Sequence, residues 1–239
     1  MNKLGIIGGT SWSSTALYYE QINKAVAARL GGLHSAEIAL ESLDFAPLAA
    51  MHQAGDWEGA SRVAVQAAER LKASGADGLL IASNTMHKTR DAVVAATGLP
   101  IVDIGAAAAQ RLIEDGRTHV ALLGTRFTMN EAFAREAYEQ RGIVLHQLAP
   151  EWQVEVDRII YEELAGGRVV RESQRKLKTL ITELAKQKVK AIVLGCTELV
   201  LAVDVRANVL PVYDTTAIHA RAAVEWMLSG KEQEARKAA

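Results

Sequence analysis

The chain comes close to repeating itself. LGIIGGT, ending at Thr10, is echoed by VALLGT, ending at Thr125, 115 residues on (125 − 10). Ser83 in IASNT is matched by Cys196 in VLGCTE at an offset of 113 (196 − 83), and Pro100 in LPIVDI by Pro211 in LPVYDT at 111 (211 − 100). Three collinear matches at nearly constant offset imply two similar halves of roughly 110 residues each. Whatever one half folds into, the other must fold into as well.

Each half alternates short apolar runs with longer helical patterns. The runs begin at Leu4, Ala36, Asp77 and Leu99, then at His119, Gly142, Lys190 and Leu210. Four to six apolar residues in a row read as strands buried on both faces, and the alternation reads as an α/β fold with parallel sheets. Between the runs lie segments such as Trp57 to Ser74, where Val63, Ala67, Arg70 and Leu71 follow a 3.6-residue period. The expected organisation is residues 1–100 with 212–239 as a first lobe and 101–211 as a second. The polar tail from Lys231 reads as a fraying helix end.

Every matched motif falls at the carboxyl end of an expected strand, where open parallel sheets bind ligands. Halves facing each other about a pseudo-twofold axis would set Ser83 and Cys196 on two sides of one ligand. Cys196 stands in Gly195-Cys196-Thr197-Glu198, composition that suits a strand-to-helix turn better than a core. A helix N-terminus there would lower the thiol pKa and favour thiolate. Buried packing is the ordinary use of a lone cysteine. Ser83-Asn84-Thr85 groups hydroxyls, an amide and backbone N–H donors that suit a carboxylate at a helix start; helix capping alone would need just one of them. Gly8-Gly9-Thr10 lacks the dinucleotide spacing G-x-G-x-x-G and reads as a tight turn that lets backbone approach a ligand. His87 falls one helical turn after Ser83, suited to packing, capping or the site. His52 follows the second strand on a segment that can reach it.

Other classes are poorly supported. Lys and Arg number 27 against 28 Asp and Glu, a net charge of −1, and aromatics make up 5 %. Nucleic acid is therefore not the expected partner. None of the six histidines forms an H-x-x-H or H-E-x-x-H pair, so no metal is expected. No apolar run approaches the length of a membrane span. The start MNKLGIIGG lacks the three-part plan of a signal peptide, and one cysteine allows no internal disulfide, so the expected home is the cytoplasm.

Taken together, the motifs resemble the aspartate/glutamate racemase superfamily. They are GIIGGTSW from Gly5, GGLHSA from Gly31, SNTMH from Ser83, LLGTRFTM from Leu122, GCTEL from Gly195 and LPVYDT from Leu210. The likeness is to the broad-specificity amino-acid racemase branch rather than to the glutamate racemases that supply cell-wall D-glutamate. The resemblance implies two α/β lobes with the active site in the cleft between them, a homodimer, and catalysis without pyridoxal phosphate, metal or other cofactor. It implies two acid/base groups on opposite faces of the α-carbon of an aspartate- or glutamate-like substrate. The second family cysteine matches Cys196. The first matches Ser83, a departure for which Thr-bearing relatives are a precedent. Substrate-binding roles carry over to Asn84, Thr85 and Thr197, with Thr10, Thr125, His52 and Glu198 as further contacts.

A serine hydroxyl is a far weaker acid than a thiol, so Ser83 is expected to abstract protons poorly. It can still donate one to a carbanion, directly or through water. Catalysis is then kinetically asymmetric between enantiomers, with the final ratio untouched. Arg126 is one candidate for a second substrate carboxylate. Two other functions suit the same scaffold: a decarboxylase like arylmalonate decarboxylase, which also keeps a single second-half cysteine, and a non-catalytic amino-acid-binding protein.

Overall fold

A computed structural model describes residues 1–237, with side chains through Ser229. The side chains of the polar tail and its last two residues lie outside the described residues. The chain divides into two compact units, Met1–Asp103 with the chain from His219 onward, and Ile104–Ile218.

In the first unit, strands β1 (Leu4–Gly8), β2 (Ile38–Ser42), β3 (Gly78–Ile81) and β4 (Ile101–Val102) form a parallel sheet in the order β2-β1-β3-β4. Its helices are α1 (Trp12–Leu30), α2 (Phe45–Ala54), α3 (Trp57–Ala73) and α4 (Arg90–Thr97). The side-chain period of two sorts the strand residues between two layers. Ile7, Leu79 and Ile81 pack with Ala60, Ala64, Ala67 and Leu71 of α3 and Val93 of α4. Leu4, Ile6 and Leu80 pack with Tyr18, Ile22 and Val26 of α1. The helix expected over Trp57 to Ser74 is α3, and Asp56 caps it by accepting the Gly59 N–H at 2.8 Å.

The second unit repeats this plan. Strands β5 (His119–Gly124), β6 (Val144–Leu145), β7 (Ala191–Gly195) and β8 (Val212–Asp214) form a parallel sheet in the order β6-β5-β7-β8. Helices α5 (Ile104–Glu114) and α7 (Ala132–Glu139) lie on one face. The short α6 (Arg126–Asn130) follows β5, and α8 (Pro150–Arg158) and α9 (Arg171–Lys186) lie on the other face. Helix α10 (Thr215–Lys237) starts in this unit and supplies Ala220, Ala223, Val224 and Met227 to the α1 layer of the first.

All eight apolar runs become strands. Central β1, β3 and β7 are buried throughout, whereas the edge strand β2 alternates between half-buried and exposed. The unit boundaries differ from those expected at 100/101 and 211/212. Strand β4 pairs with β3 and so stays in the first unit, and β8 pairs with β7 and so stays in the second. The chain passes between units after those strands, not before them.

Candidate functional site

In both sheets the strand order reverses beside the first strand, between β1 and β3 and between β5 and β7. A crevice opens outside the carboxyl ends at such a switch point because the two flanking connections leave in opposite directions. The segments that follow these four strands carry Thr10, Ser83, Thr125 and Cys196 in turn.

After β1 the chain turns at Gly9, whose φ is +89°. A Cβ there would stand 2.0 Å from the Leu43 carbonyl oxygen, so glycine is required on steric as well as conformational grounds. The Gly9 N–H donates to Thr15 Oγ1 at 2.8 Å, and the Thr15 hydroxyl donates to the Ser11 carbonyl at 3.0 Å. This lashes the turn to α1 and holds Thr10, itself buried.

After β3 comes a 3₁₀ turn, Thr85–Thr89. Ser83 is half-buried, and its Oγ accepts the Met86 N–H at 3.3 Å. Asn84 makes no side-chain capping bond. Ser83 thus caps the turn, and the neighbouring Asn84 and Thr85 are buried beside it. No side-chain base bonds the Ser83 hydroxyl among the described residues. His87 is not such a base: its Nδ1–H donates to the Ser83 carbonyl at 2.7 Å, and burial lowers its pKa. Behind it, His219 accepts from the Tyr18 hydroxyl at Nδ1 (2.8 Å) and donates from Nε2 to the Val102 carbonyl (2.7 Å). Burial first, with His87 next, lowers His219 to about 3, so this relay is neutral. His52 is 3 % exposed, stacked on Trp57 with Nε2 3.1 Å from Met86 Sδ. Through Met86 it contacts the turn that follows Ser83.

After β5, Thr125 caps α6 by accepting the Thr128 N–H. Gly124 and Gly195 are register partners, so Thr125 and Cys196 begin adjacent segments at the carboxyl edge. Cys196 is extended and followed by a 3₁₀ turn, Thr197–Leu201. Its Sγ donates to Glu198 Oε2 at 3.0 Å, and Thr197 Oγ1 donates to the same oxygen at 2.7 Å.

One expectation is corrected here. The thiol pKa is raised, not lowered, by burial first and then by the Glu198 carboxylate. Cys196 packs in an apolar cluster with Leu199, Ile159 and Ile160, and one 3₁₀ turn has little dipole to oppose that environment. The Thr197 hydroxyl proton is committed to Glu198, which leaves that side chain no donor for a carboxylate in this geometry. Glu198 itself is turned onto Cys196 and Thr197.

Sequence reasoning missed Tyr161. It lies in a π turn, Ile159–Glu163, and its pKa is pushed up to about 12 by burial and by the charges of Asp157 and Cys196. The only signal was a phenol in the apolar stretch IIYEEL, and a π turn leaves no mark in residue periodicity. Among the described residues no group of three His, Cys, Asp or Glu side chains could hold a metal. No helix among them is long and apolar enough to cross a membrane.

A family model described as Asp/Glu/hydantoin racemase matches residues 7–223. A Yersinia pestis structure described as a candidate Asp/Glu racemase is 43 % identical, with a TM-score of 0.88, over 95 % of this chain and 100 % of that one. An aspartate racemase homologue from Pyrococcus horikoshii is 31 % identical at a TM-score of 0.79, over 95 % and 99 %. An aspartate racemase from Picrophilus torridus shares the fold at 19 % identity and a TM-score of 0.78, over 95 % and 94 %.

Proposed function

Because the chain belongs to the Asp/Glu/hydantoin racemase family, we propose that it is a cofactor-independent racemase of aspartate- or glutamate-like amino acids. Cys196 is its main acid/base and Ser83 the group on the other face of the α-carbon. The observation that carries this reading is topological: Ser83 and Cys196 follow the equivalent strands, β3 and β7, of two sheets with the same strand order.

The resting thiol is protonated and therefore poised to give a proton to a carbanion. To abstract one, it first passes its own proton to Glu198 Oε2, the acceptor it already bonds. The thiolate then takes the α-proton, and Glu198 returns its proton to solvent after turnover. Ser83 has no such acceptor and serves as donor, directly or through water, and its oxygen is reprotonated from solvent, which balances the proton that Glu198 releases. Proton removal from one enantiomer, the one facing Cys196, is therefore fast and removal from the other slow. In the same reading the protein needs neither pyridoxal phosphate nor metal and works as a cytoplasmic homodimer, as the family resemblance implies. Asn84, Thr85, Thr10 and Thr125 hold the substrate carboxylates in this proposal.

The test is exchange of the α-hydrogen for deuterium, measured separately on L- and D-aspartate and on L- and D-glutamate. Unequal rates between enantiomers are expected. Equal rates would sink the asymmetry, and full activity in Cys196→Ala would sink the whole assignment. Release of CO2 from substituted malonates without amino-acid exchange would replace it with a decarboxylase.

A further inference from the structure

When an α-proton leaves, its electron pair spreads into the α-carboxylate and negative charge builds on oxygen. Without a cofactor to absorb that pair, the protein must aim un-ionised donors at the oxygen. Cys196 and Ser83 are occupied at the carbon, so this work falls to the groups that hold the carboxylates and to any further donor beside Cys196.

Tyr161 is placed for it. Its π turn follows α8, and such turns often mark functional positions because the extra residue shifts side chains out of helical register. Ile159, Ile160 and Leu164 of this stretch pack in the same apolar cluster as Cys196 and Leu199. One helical turn before Tyr161, Asp157 Oδ1 accepts the backbone N–H of Arg126 at 2.7 Å. Arg126 follows Thr125 at the end of β5, the strand beside β7. The end of α8 is thus tied to the edge on which Cys196 stands. Charge on Cys196 and on Glu198 is felt at the phenol, with Asp157 and Arg126 as its other charged neighbours. The ring is half-buried, and its hydroxyl has no hydrogen-bond partner among the described residues. The hydroxyl is not among the buried polar atoms that lack a partner, so it is open to solvent and free to meet a ligand.

We infer that the Tyr161 hydroxyl touches the substrate and donates a hydrogen bond to the carboxylate oxygen on which charge builds as the α-proton leaves. This rests on the racemase reading. The phenol stays protonated up to about 12, so it donates throughout any ordinary working range and its proton is never transferred. The carbanion is quenched at carbon by the acid on the other face.

One consequence separates this role from that of an acid/base. The charged intermediate is common to both directions, so losing the donor slows both enantiomers alike. In Tyr161→Phe, kcat for α-deuterium exchange falls by about 10²-fold, by the same factor from L- and D-substrate, with KM nearly unchanged. Tyr161→Gln, which keeps an N–H donor, regains at least about tenfold over Phe and gives a second readout if the Phe variant folds poorly. A kcat within about twofold of wild type in Tyr161→Phe, unequal falls for the two enantiomers, or no regain with Gln would overturn the inference while the racemase reading stands. A wild-type protein that exchanges no α-proton would overturn both.

Discussion

Replacing Gly9 by Ala separates what a glycine contributes through backbone freedom from what it contributes through space. Gly9 has φ +89° and Gly75 has φ +83°, so a side chain meets nearly the same backbone penalty at each. That penalty is about 1–2 kcal/mol. The surroundings differ completely. A Cβ at Gly75 meets nothing within 4 Å, whereas at Gly9 it lands 2.0 Å from Leu43 O and 2.3 Å from Leu43 N. Those atoms are backbone, and Leu43 N donates to Gly8 O at 3.0 Å, so relief requires parting the segment after β2 from the end of β1. Forced overpacking of this kind costs a further ~1–3 kcal/mol. The loss of unfolded-state entropy on going from Gly to Ala is the same in both variants and cancels in the comparison. Gly9→Ala should therefore be destabilised by about 1–3 kcal/mol more than Gly75→Ala, a sizeable part of a typical ~5–15 kcal/mol. Urea denaturation followed by circular dichroism reads this as a clearly lower midpoint for the Gly9 variant. Exchange at Cα should also collapse in that variant, because Thr10 rides on the displaced turn, and persist in the other. Equal midpoints for the two would refute the close-approach argument.

Other expectations concern protonation. Cys196 is the sole cysteine, so iodoacetamide reports its ionisation directly. Glu198→Gln removes one of the two causes that raise the thiol, so the alkylation–pH profile should move to lower pH; an unmoved profile would exclude electrostatic control by Glu198. Ser83→Cys should raise exchange from the slower enantiomer and leave the faster one nearly as it was; a loss in both would count against Ser83 as the second arm. Glu155 is lowered to about 2, chiefly by its bonds from Arg158 and then Lys176. Its stabilising effect is full above the ordinary 4.5 and lost as pH falls toward 2, partly screened by solvent. Acid denaturation of Glu155→Gln should show a shallower loss over that window, and identical acid curves would contradict the linkage.

The central strands could be read from the chain because a strand buried on both faces needs an uninterrupted apolar run, as β1, β3 and β7 have. The extents of the strands could not. Of the run from Gly142 only Val144 and Leu145 pair, whereas the edge strand β2 pairs over all of Ile38–Ser42, so neither the run nor an edge position sets the length. Proline matches at 100 and 211 marked the repeat correctly, but the unit boundary depends on which strand β4 and β8 join, a pairing made across the chain. The same distinction runs through the site. Thr10, Ser83, Thr125 and Cys196 could be placed because each directly follows an apolar run. The protonation of Cys196 could not be, since its largest cause, burial, comes from packing with other elements. Tyr18 and His219 meet across 201 residues, and Cys196 shares its apolar cluster with Ile159 and Ile160 of a different element. Gly-Cys-Thr-Glu looked like an open turn with a ready thiolate; burial and Glu198 make it a closed turn with a thiol. The proposed reaction uses the sulfur for proton transfer, while its environment favours the proton-loaded form. Glu198 is the group that reconciles them, because the carboxylate that raises the thiol is also the acceptor through which the thiol can lose its proton.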